Sequence, residues 1–308
     1  MRNHLIKYYY GLKPFVPRYF QVIIRRHVVQ ANSAKFKDIW PIDKSGGRKP
    51  DHWAGWPNGK KFAVVLTHDV ETATGQERCK ELMGIERERG FVSSFNFVPE
   101  RYTVSKNLRD YLTEQGYEVG VHDLKHDGKL YQSRESFLRK AERINFYLKD
   151  WNAVGFRSGA MHHNLDWIHA LNITYDASTF DSDPFEPQPD GIGTIFPSWI
   201  PRDGTGNGYV EMPYTLPQDF TVFVLLKEKN IDTWKKKLDW VVNHGGMVLL
   251  ITHPDYMNFG KSKIRFDEYP VKYYIDLLDY IRTRYKDQYW NAVPMAIAGY
   301  LKTGMGKI

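Results

Sequence analysis

Residues 62–71 read FAVVLTHDVE, a short apolar run followed at once by an acidic pair, Asp69 and Glu71. An apolar run of this length is typical of a strand buried on both faces of a sheet. Side chains i and i+2 of an extended segment share a face, so Asp69 and Glu71 can point into one site while Val70 points away. The stretch predicts a buried strand that ends in paired carboxylates.

Two later segments place histidines at the ends of apolar runs. In VGVHDLKHD, residues 119–127, His122 and His126 are four residues apart, and in MVLLITHPDY, residues 247–256, the run ends at His253. A His pair at this spacing can bind one metal ion from a helix or from a turn. Strand ends that collect histidines and carboxylates indicate a metal-centred hydrolase site.

The chemistry of such a site follows from its residue types. Two imidazoles and one carboxylate with an open position are a common ligand set for catalytic zinc, which lowers the pKa of its water to about 7. A second carboxylate can act as general base, and a separate histidine can protonate a leaving amine. The expected cofactor is a divalent metal, zinc first, with Co²⁺, Ni²⁺ or Mn²⁺ as alternatives.

From residue 62 onward, the pattern alternates between strands and helices, which predicts a parallel sheet or barrel. We expect strands at residues 62–66, 91–98, 117–121, 153–156, 173–176 and 246–252. We expect helices at residues 76–90, 105–115, 133–149, 164–171, 231–243 and 268–285. Residues 177–218 carry many prolines and glycines and predict long functional loops with short strands at 194–196 and 209–212.

Length and composition set further bounds on the protein. A chain of 308 residues suits a single α/β barrel, and one cysteine, Cys79, excludes an intramolecular disulfide. The net charge of +7 is spread without a basic cluster interleaved with aromatics, so we expect no nucleic-acid partner. A positive field favours an anionic substrate instead, such as a nucleotide-linked or lipid-linked sugar. The aromatic content of 15% suits a sugar-stacking groove as well as an aromatic-rich core.

The first sixty residues differ from the rest and form an expected N-terminal extension, residues 1–60, before a catalytic domain at 61–308. Residues 1–30 contain basic and aromatic residues but no acidic one. Such a segment can contact an anionic membrane surface or pack as an arm on the catalytic domain. The N-terminus lacks the apolar stretch of roughly 7–15 residues that a signal peptide needs, and no run reaches transmembrane length, so we expect a cytoplasmic location.

The order of these motifs resembles the polysaccharide deacetylase family, also called the NodB-homology or carbohydrate esterase family 4 group, over roughly residues 60–255. The family's first motif resembles Thr67-His68-Asp69-Val70, its second is His122-x3-His126, its third resembles Gly155-Phe156-Arg157-Ser158-Gly159, and its fifth is Leu250-x-x-His253. The resemblance implies an α/β fold, a distorted (β/α)7 barrel, and a divalent metal that serves the removal of acetyl groups from sugars.

The resemblance also implies a role for each matching residue. Asp69 would be the general base and His253 the general acid. Arg157 would orient the base, and Leu250 would line the pocket for the acetyl methyl group. His122 and His126 would be metal ligands.

The sequence departs from the family pattern at several positions. Val70 stands where the family has its metal-binding aspartate, so Glu71 is the expected third ligand, although the two carboxylates could exchange roles. The third motif lacks the proline after its arginine. For the unclear fourth motif we expect residues 176–181, in which Asp176 could support His253 or bind substrate. His162 could contact substrate or be a polar loop residue, and we expect His68 to be structural.

The resulting hypothesis is a metal-dependent hydrolase that removes an N-acetyl group from a sugar in surface-polysaccharide or glycolipid biosynthesis. Two alternatives remain open. One is a deformylase or other C–N hydrolase of a non-sugar amide, and the other is a carbohydrate-binding relative without catalysis.

Overall fold

The computed structural model describes residues 16–51, 53–202 and 206–305. The strands are β1 (Phe62–Val70), β2 (Ser93–Phe97), β3 (Glu118–His122), β4 (Gly155–Arg157), β5 (Tyr175–Asp176), β6 (Ser198–Pro201), β7 (Gly208–Glu211), β8 (Met247–Thr252), β9 (Met257–Asn258), β10 (Tyr269–Pro270) and β11 (Tyr289–Asn291). The helices are α1 (Arg18–Ser33), α2 (Ala73–Glu88), α3 (Lys106–Glu114), α4 (Arg134–Asp150), α5 (Leu165–Ile168), α6 (Asp232–His244), α7 (Lys272–Arg284) and α8 (Pro294–Met305).

A mostly parallel, curled sheet forms the centre of the fold. Strand β1 is buried along its whole length and pairs in parallel with β2, β8 and β11, while β2, β3, β4, β5 and β7 follow one another side by side. Strand β6 is antiparallel to β7. Isolated bridges from Phe180 to Tyr214 and from Leu216 to Leu250 bring the chain after β7 back towards β8. The distorted (β/α)7 barrel expected from the sequence is confirmed.

The strand register aligns the carboxyl ends that carry the polar residues. Asp69 of β1 lies opposite Asn96 of β2, and His122 of β3 lies opposite Arg157 of β4. On the other side of β1, His68 lies opposite Thr252, the residue before His253. Parallel strands in register bring these side chains to one end of the barrel, which is the end where catalytic groups of such barrels sit.

The helices begin and end at residues with a clear physical role. Ser105 and Ser133 accept hydrogen bonds from Leu108 and Ser136 backbone N–H groups, which caps α3 and α4. Helix α6 ends at Gly245, whose φ of 72° is the left-handed conformation that glycine adopts most easily. Apolar residues on the inner face of α4 are buried as its 3.6-residue period predicts: Phe137, Ala141, Ile144 and Leu148.

Some predicted elements were wrong in extent or place. The helix expected at 164–171 is a single turn, α5. The strand expected at 194–196 does not form, because the Ile195 backbone makes only isolated hydrogen bonds, one to Gly46 and one to Met247. The strand that precedes β7 is instead β6. Helices α1 and α8, strand β11 and a buried π-helical segment, Phe220–Leu225, were not predicted.

The described part of the N-terminal extension packs on the barrel. Helix α1 buries Val22 and Val29 in the same hydrophobic cluster as the segment Phe220–Leu225. Arg26 donates to the carbonyls of Val224 (3.1 Å) and Phe266 (3.2 Å). The remainder of the basic segment, residues 1–15, lies outside the described residues. Among the described helices, none has the length and apolar character needed to cross a membrane.

Candidate active site

The predicted metal ligands converge at the carboxyl ends of β1 and β3. Potential ligand atoms of Glu71, His122 and His126 all lie within 4.8 Å of one another, and Glu71 Oε1 is 3.2 Å from His126 Nε2. His122 Nδ1 lies 3.1 Å from the carbonyl oxygen of Arg157, whereas its Nε2 is buried without a hydrogen-bond partner. A buried, unpartnered imidazole nitrogen beside a second imidazole and a carboxylate fits the ligand set of a divalent metal.

A turn rather than a helix brings the two histidines together. Asp123 and His126 adopt left-handed backbone conformations, with φ of 57° and 53°. The Asp123 carboxylate accepts hydrogen bonds from the backbone N–H groups of Leu124 (2.5 Å) and Gly159 (3.1 Å). The His122 and His126 rings are 4.8 Å apart, so the sequence spacing serves one site through a tight loop.

Asp69 is held on one side and open to the ligand set on the other. Its Oδ1 accepts hydrogen bonds from Arg157 Nη1 (2.9 Å) and Asn96 Nδ2 (3.0 Å), while Oδ2 lies 3.7 Å from His122 Nε2. Burial opposes ionisation of this carboxyl, but the charges of Arg157 and His122 outweigh it and hold the pKa of Asp69 well below its usual range. Asp69 is therefore a fixed, ionised carboxylate.

His253 lies across the site from the ligand set and has its own carboxylate. Its Nδ1 lies 2.7 Å from Asp219 Oδ1, its backbone N–H donates to Asp219 Oδ2 (2.8 Å), and its Nε2 is 3.9 Å from Glu71 Oε1. Burial disfavours the imidazolium, but the charge and hydrogen bond of Asp219 raise the pKa of His253 to about 9. The imidazole is thus a proton donor at neutral pH.

Asp219, which contacts His253, is the site residue that the sequence prediction missed. The two carboxylates of the expected fourth motif have other partners than His253. Asp176 accepts hydrogen bonds from Ser178, and Asp181 forms a buried ion pair with Lys237. Asp176 therefore does not support His253. The only sequence signal for Asp219 is a carboxylate between the proline-rich loops and the apolar run that follows it.

The remaining residues named from the sequence do not line the cavity at the candidate site. Leu250 is 1% exposed and packs in the hydrophobic core. The described residues that line the cavity do not include Leu250, Asp176 or His162. Burial lowers the pKa of His162. His68 is fully buried between Thr252 (2.7 Å) and Glu86 (2.8 Å), which confirms its structural role.

The candidate catalytic groups face a cavity of about 1010 Å³. Its floor includes Asp69, Glu71, His122, His126 and His253. One wall is supplied by α1 through Arg18, Gln21, Ile24, Arg25 and Val28. The N-terminal extension therefore forms part of the candidate active site, which composition alone did not indicate.

Known structures share this architecture, although no family model and no curated protein sequence matches the chain. A Mycobacterium smegmatis protein assigned as a polysaccharide deacetylase superposes with a TM-score of 0.61 at 18% identity, over 83% of this chain and 96% of that one. A Pseudomonas aeruginosa PAO1 protein with the same assignment gives 0.59 at 15% identity, over 86% and 98%. This chain has the polysaccharide deacetylase fold.

The polysaccharide deacetylase fold is also that of the allantoinase PuuE, which superposes with a TM-score of 0.60 at 16% identity, over 86% of this chain and 98% of that one. The fold therefore leaves the substrate open, and the residues of the site carry the functional argument.

Proposed function

We propose that the protein is a metal-dependent hydrolase that removes the N-acetyl group from a sugar, in surface-polysaccharide or glycolipid biosynthesis. One observation carries the proposal. In one cavity, the His-His-Glu cluster lies beside Asp69, a carboxylate held by Arg157, and beside His253, an imidazole held by Asp219. Amide hydrolysis needs a base on one side of the carbonyl carbon and an acid on the side of the leaving nitrogen.

Glu71, His122 and His126 would hold the metal. When bound, a divalent ion supplies Lewis acidity that polarises the amide carbonyl and acidifies water. Glu71 fits the ligand role because its Oε1 faces His126, while its Oε2 accepts a hydrogen bond from Tyr256 (3.1 Å) and lies 3.7 Å from Arg101. Asp69 has its Oδ1 fixed by Arg157 and Asn96, which suits a base with one free oxygen.

The chain's own residues would move two protons. Asp69 Oδ2 accepts a proton from the attacking water as its oxygen forms the bond to the acetyl carbon. His253 Nε2 donates a proton to the sugar nitrogen as the C–N bond breaks, so that acetate and a free amine leave. Arg157 and Asp219 position the base and the acid, respectively.

A non-sugar amide is the second candidate substrate, because an allantoinase shares the fold at similar TM-score. Allantoin is a small amide without a sugar ring, and the same base, acid and ligand set would serve its hydrolysis. A screen of N-acetyl sugars, N-formyl amides and allantoin separates the two. Turnover confined to allantoin or formyl amides would contradict the sugar assignment.

Metal content tests the proposal directly. We expect about one equivalent of zinc or a similar divalent ion in the purified protein and none in a His122→Ala, His126→Ala double variant. A His162→Ala, His163→Ala double variant is the matched control, since these neighbouring histidines lie outside the ligand cluster. Wild-type protein that stays metal-free after incubation with zinc, cobalt or nickel would favour a binding protein without catalysis.

A further inference from the structure

Two arginines of α1 reach the cavity from the same side. Arg18 and Arg25 are seven residues apart, so they lie on one face of the helix, about 10.5 Å apart along its axis. Both guanidinium groups lie over the ring of Phe220, at 5.5 Å and 5.2 Å from its centre. The two cations therefore converge on one stretch of cavity wall.

In the described part of the chain, neither arginine has a carboxylate oxygen within ion-pair distance, although Tyr256, Glu71 and Asp267 lie close enough to raise the pKa of Arg18. Arg18 donates one hydrogen bond to Tyr256 Oη (2.8 Å). Arg25 lies over the ring of Phe220, and its charge also acts on the nearby carboxyls of Asp183 and Glu186. Arg265, on the same cavity, is by contrast paired with Asp267 at 3.1 Å. Guanidinium N–H groups of Arg18 and Arg25 thus remain to bind an anion, and arginine is the residue that matches phosphate oxygens in pairs.

The position of Arg18 relates this anion to the candidate metal site. A single phenol oxygen, that of Tyr256, accepts from Arg18 and donates to Glu71 Oε2 (3.1 Å). An anion held by Arg18 therefore lies close to an amide positioned at Glu71. In a 2-acetamido sugar, the group closest to the amide on the reducing side is the substituent on the neighbouring anomeric oxygen.

We propose that Arg18 and Arg25 form a diphosphate subsite, so that the substrate is a 2-acetamido sugar with a diphosphate on its anomeric oxygen. This inference rests on the proposed deacetylase function and names its substrate class. Two guanidinium groups at the same ring of the cavity wall, that of Phe220, suit two linked phosphates. Sugar diphosphates linked to a nucleoside and those linked to a lipid share this chemistry.

Calorimetric titration of the full-length protein tests the subsite without turnover. The probes are UDP and farnesyl diphosphate, at about 0.15 M salt, where nonspecific surface attraction is screened. We expect the diphosphates to bind the wild type, and Arg25→Gln and Arg18→Gln to weaken binding at least tenfold. Arg139→Gln, an exposed arginine on α4 paired with Glu135, removes the same charge outside the cavity and should leave affinity within twofold.

Each outcome decides the matter. Tighter binding of UDP assigns a nucleotide-linked sugar, and tighter binding of farnesyl diphosphate assigns a lipid-linked sugar. Absence of binding, or equal binding by wild type and Arg25→Gln, overturns the subsite. Arg25→Lys is the second variant should Arg25→Gln unfold, and unchanged affinity in it would also count against paired hydrogen bonds.

Failure of the subsite and failure of the proposed function can be told apart. Arg25-dependent diphosphate binding without any deacetylation would overturn only the function. Deacetylation of a neutral N-acetyl sugar, together with a diphosphate affinity that is the same in wild type and Arg25→Gln, would overturn only the subsite.

Discussion

The two oxygens of Asp69 have different surroundings, which gives this residue a testable role. Oδ1 accepts hydrogen bonds from Arg157 and Asn96. Neither of these side chains donates to Oδ2, which lies 3.7 Å from His122 Nε2. Asp69→Asn keeps the shape of the side chain but removes its basicity. We expect turnover to fall by about a hundredfold to ten-thousandfold, with metal content unchanged.

Parallel assays of turnover and bound metal on Asp69→Asn check this prediction. Wild-type turnover in the variant would rule out Asp69 as base. Loss of metal together with activity would instead indicate that Asp69 and Glu71 have exchanged roles.

Asp219 contacts His253, the proposed general acid, and should set its pKa. Because its charge raises the pKa of His253 to about 9, the acid form persists through neutral pH, and activity should decline only above that value. Asp219→Asn removes the charge, so the pKa of His253 falls. The alkaline limb of kcat/KM should then move to lower pH by about one unit or more.

The control for this pH profile is Tyr269→Phe. The uncharged hydroxyl of Tyr269 donates a hydrogen bond to Asp219 Oδ2 (2.9 Å). Removing that hydroxyl leaves the carboxylate charge in place. An alkaline limb that moves equally in both variants, or in neither, would contradict the assignment of His253 as acid.

At the scale of elements, the turn after β4 supports the loop that carries His126. A Cβ added at Gly159 would lie 2.6 Å from Asp123 Oδ2 and 2.8 Å from His126 Cδ2. Gly159→Ala should therefore displace the loop and weaken metal binding by about tenfold to a hundredfold, as other changes behind metal ligands do. Competition with a chelator measures the affinity.

Gly84→Ala is the matched control for that substitution. Gly84 lies in α2, and a Cβ there meets no atom within 4 Å. The control should keep wild-type metal affinity. Unchanged affinity in Gly159→Ala would show that the loop can shift without moving His126.

Elements with strong local signals were predicted, and those set by tertiary packing were not. The strands that end in polar residues and the capped helices α3 and α4 follow from apolar runs and Ser caps. The segment Phe220–Leu225 is wholly buried and apolar except for Thr221, so it has no periodic face that could separate a π-helix from a strand. Helix α1 depends on packing against that segment, which its own sequence does not reveal.

At the scale of the whole molecule, Glu86 joins four elements beneath the site. It is fully buried and accepts hydrogen bonds from Ser93 Oγ (2.7 Å) and Tyr274 Oη (2.5 Å), while His68 Nε2 lies 2.8 Å away. Glu86→Ala would leave these polar groups of β1, β2 and α7 without their partner. We expect the free energy of unfolding to fall by about 3–5 kcal/mol.

Urea unfolding of Glu86→Ala beside Glu88→Ala measures this effect. The Glu88 side chain lies on the same helix and is 77% exposed, so its removal should cost less than about 0.5 kcal/mol. Equal stability of the two variants would show that the buried network contributes little.

The site was more predictable than its surroundings. Asp69, Glu71, His122, His126, Arg157 and His253 were found because strand ends in a parallel sheet meet at one edge. Asp219 and Tyr256 reach His253 and Glu71 through long-range contacts, and the sequence around Asp219 carries only the weak signal described above. Strand β8 is buried on both faces, so the alternation along it could not tell which side chains face the cavity. The division of the chain at residue 60 stays a prediction.

The pairing of β1 with β8 has a consequence for how the protein is made in the cell. The Thr67 hydroxyl donates to the carbonyl of Leu250 in β8, 183 residues away, so the ribosome must synthesise the intervening chain before β1 can gain that neighbour. At usual rates of synthesis this takes on the order of 10 to 40 s. During that time a nascent chain presents the open edge of an apolar strand, FAVVLTHDV, to other chains. Polypeptides that terminate before Met247 should therefore depend on chaperones to stay unaggregated.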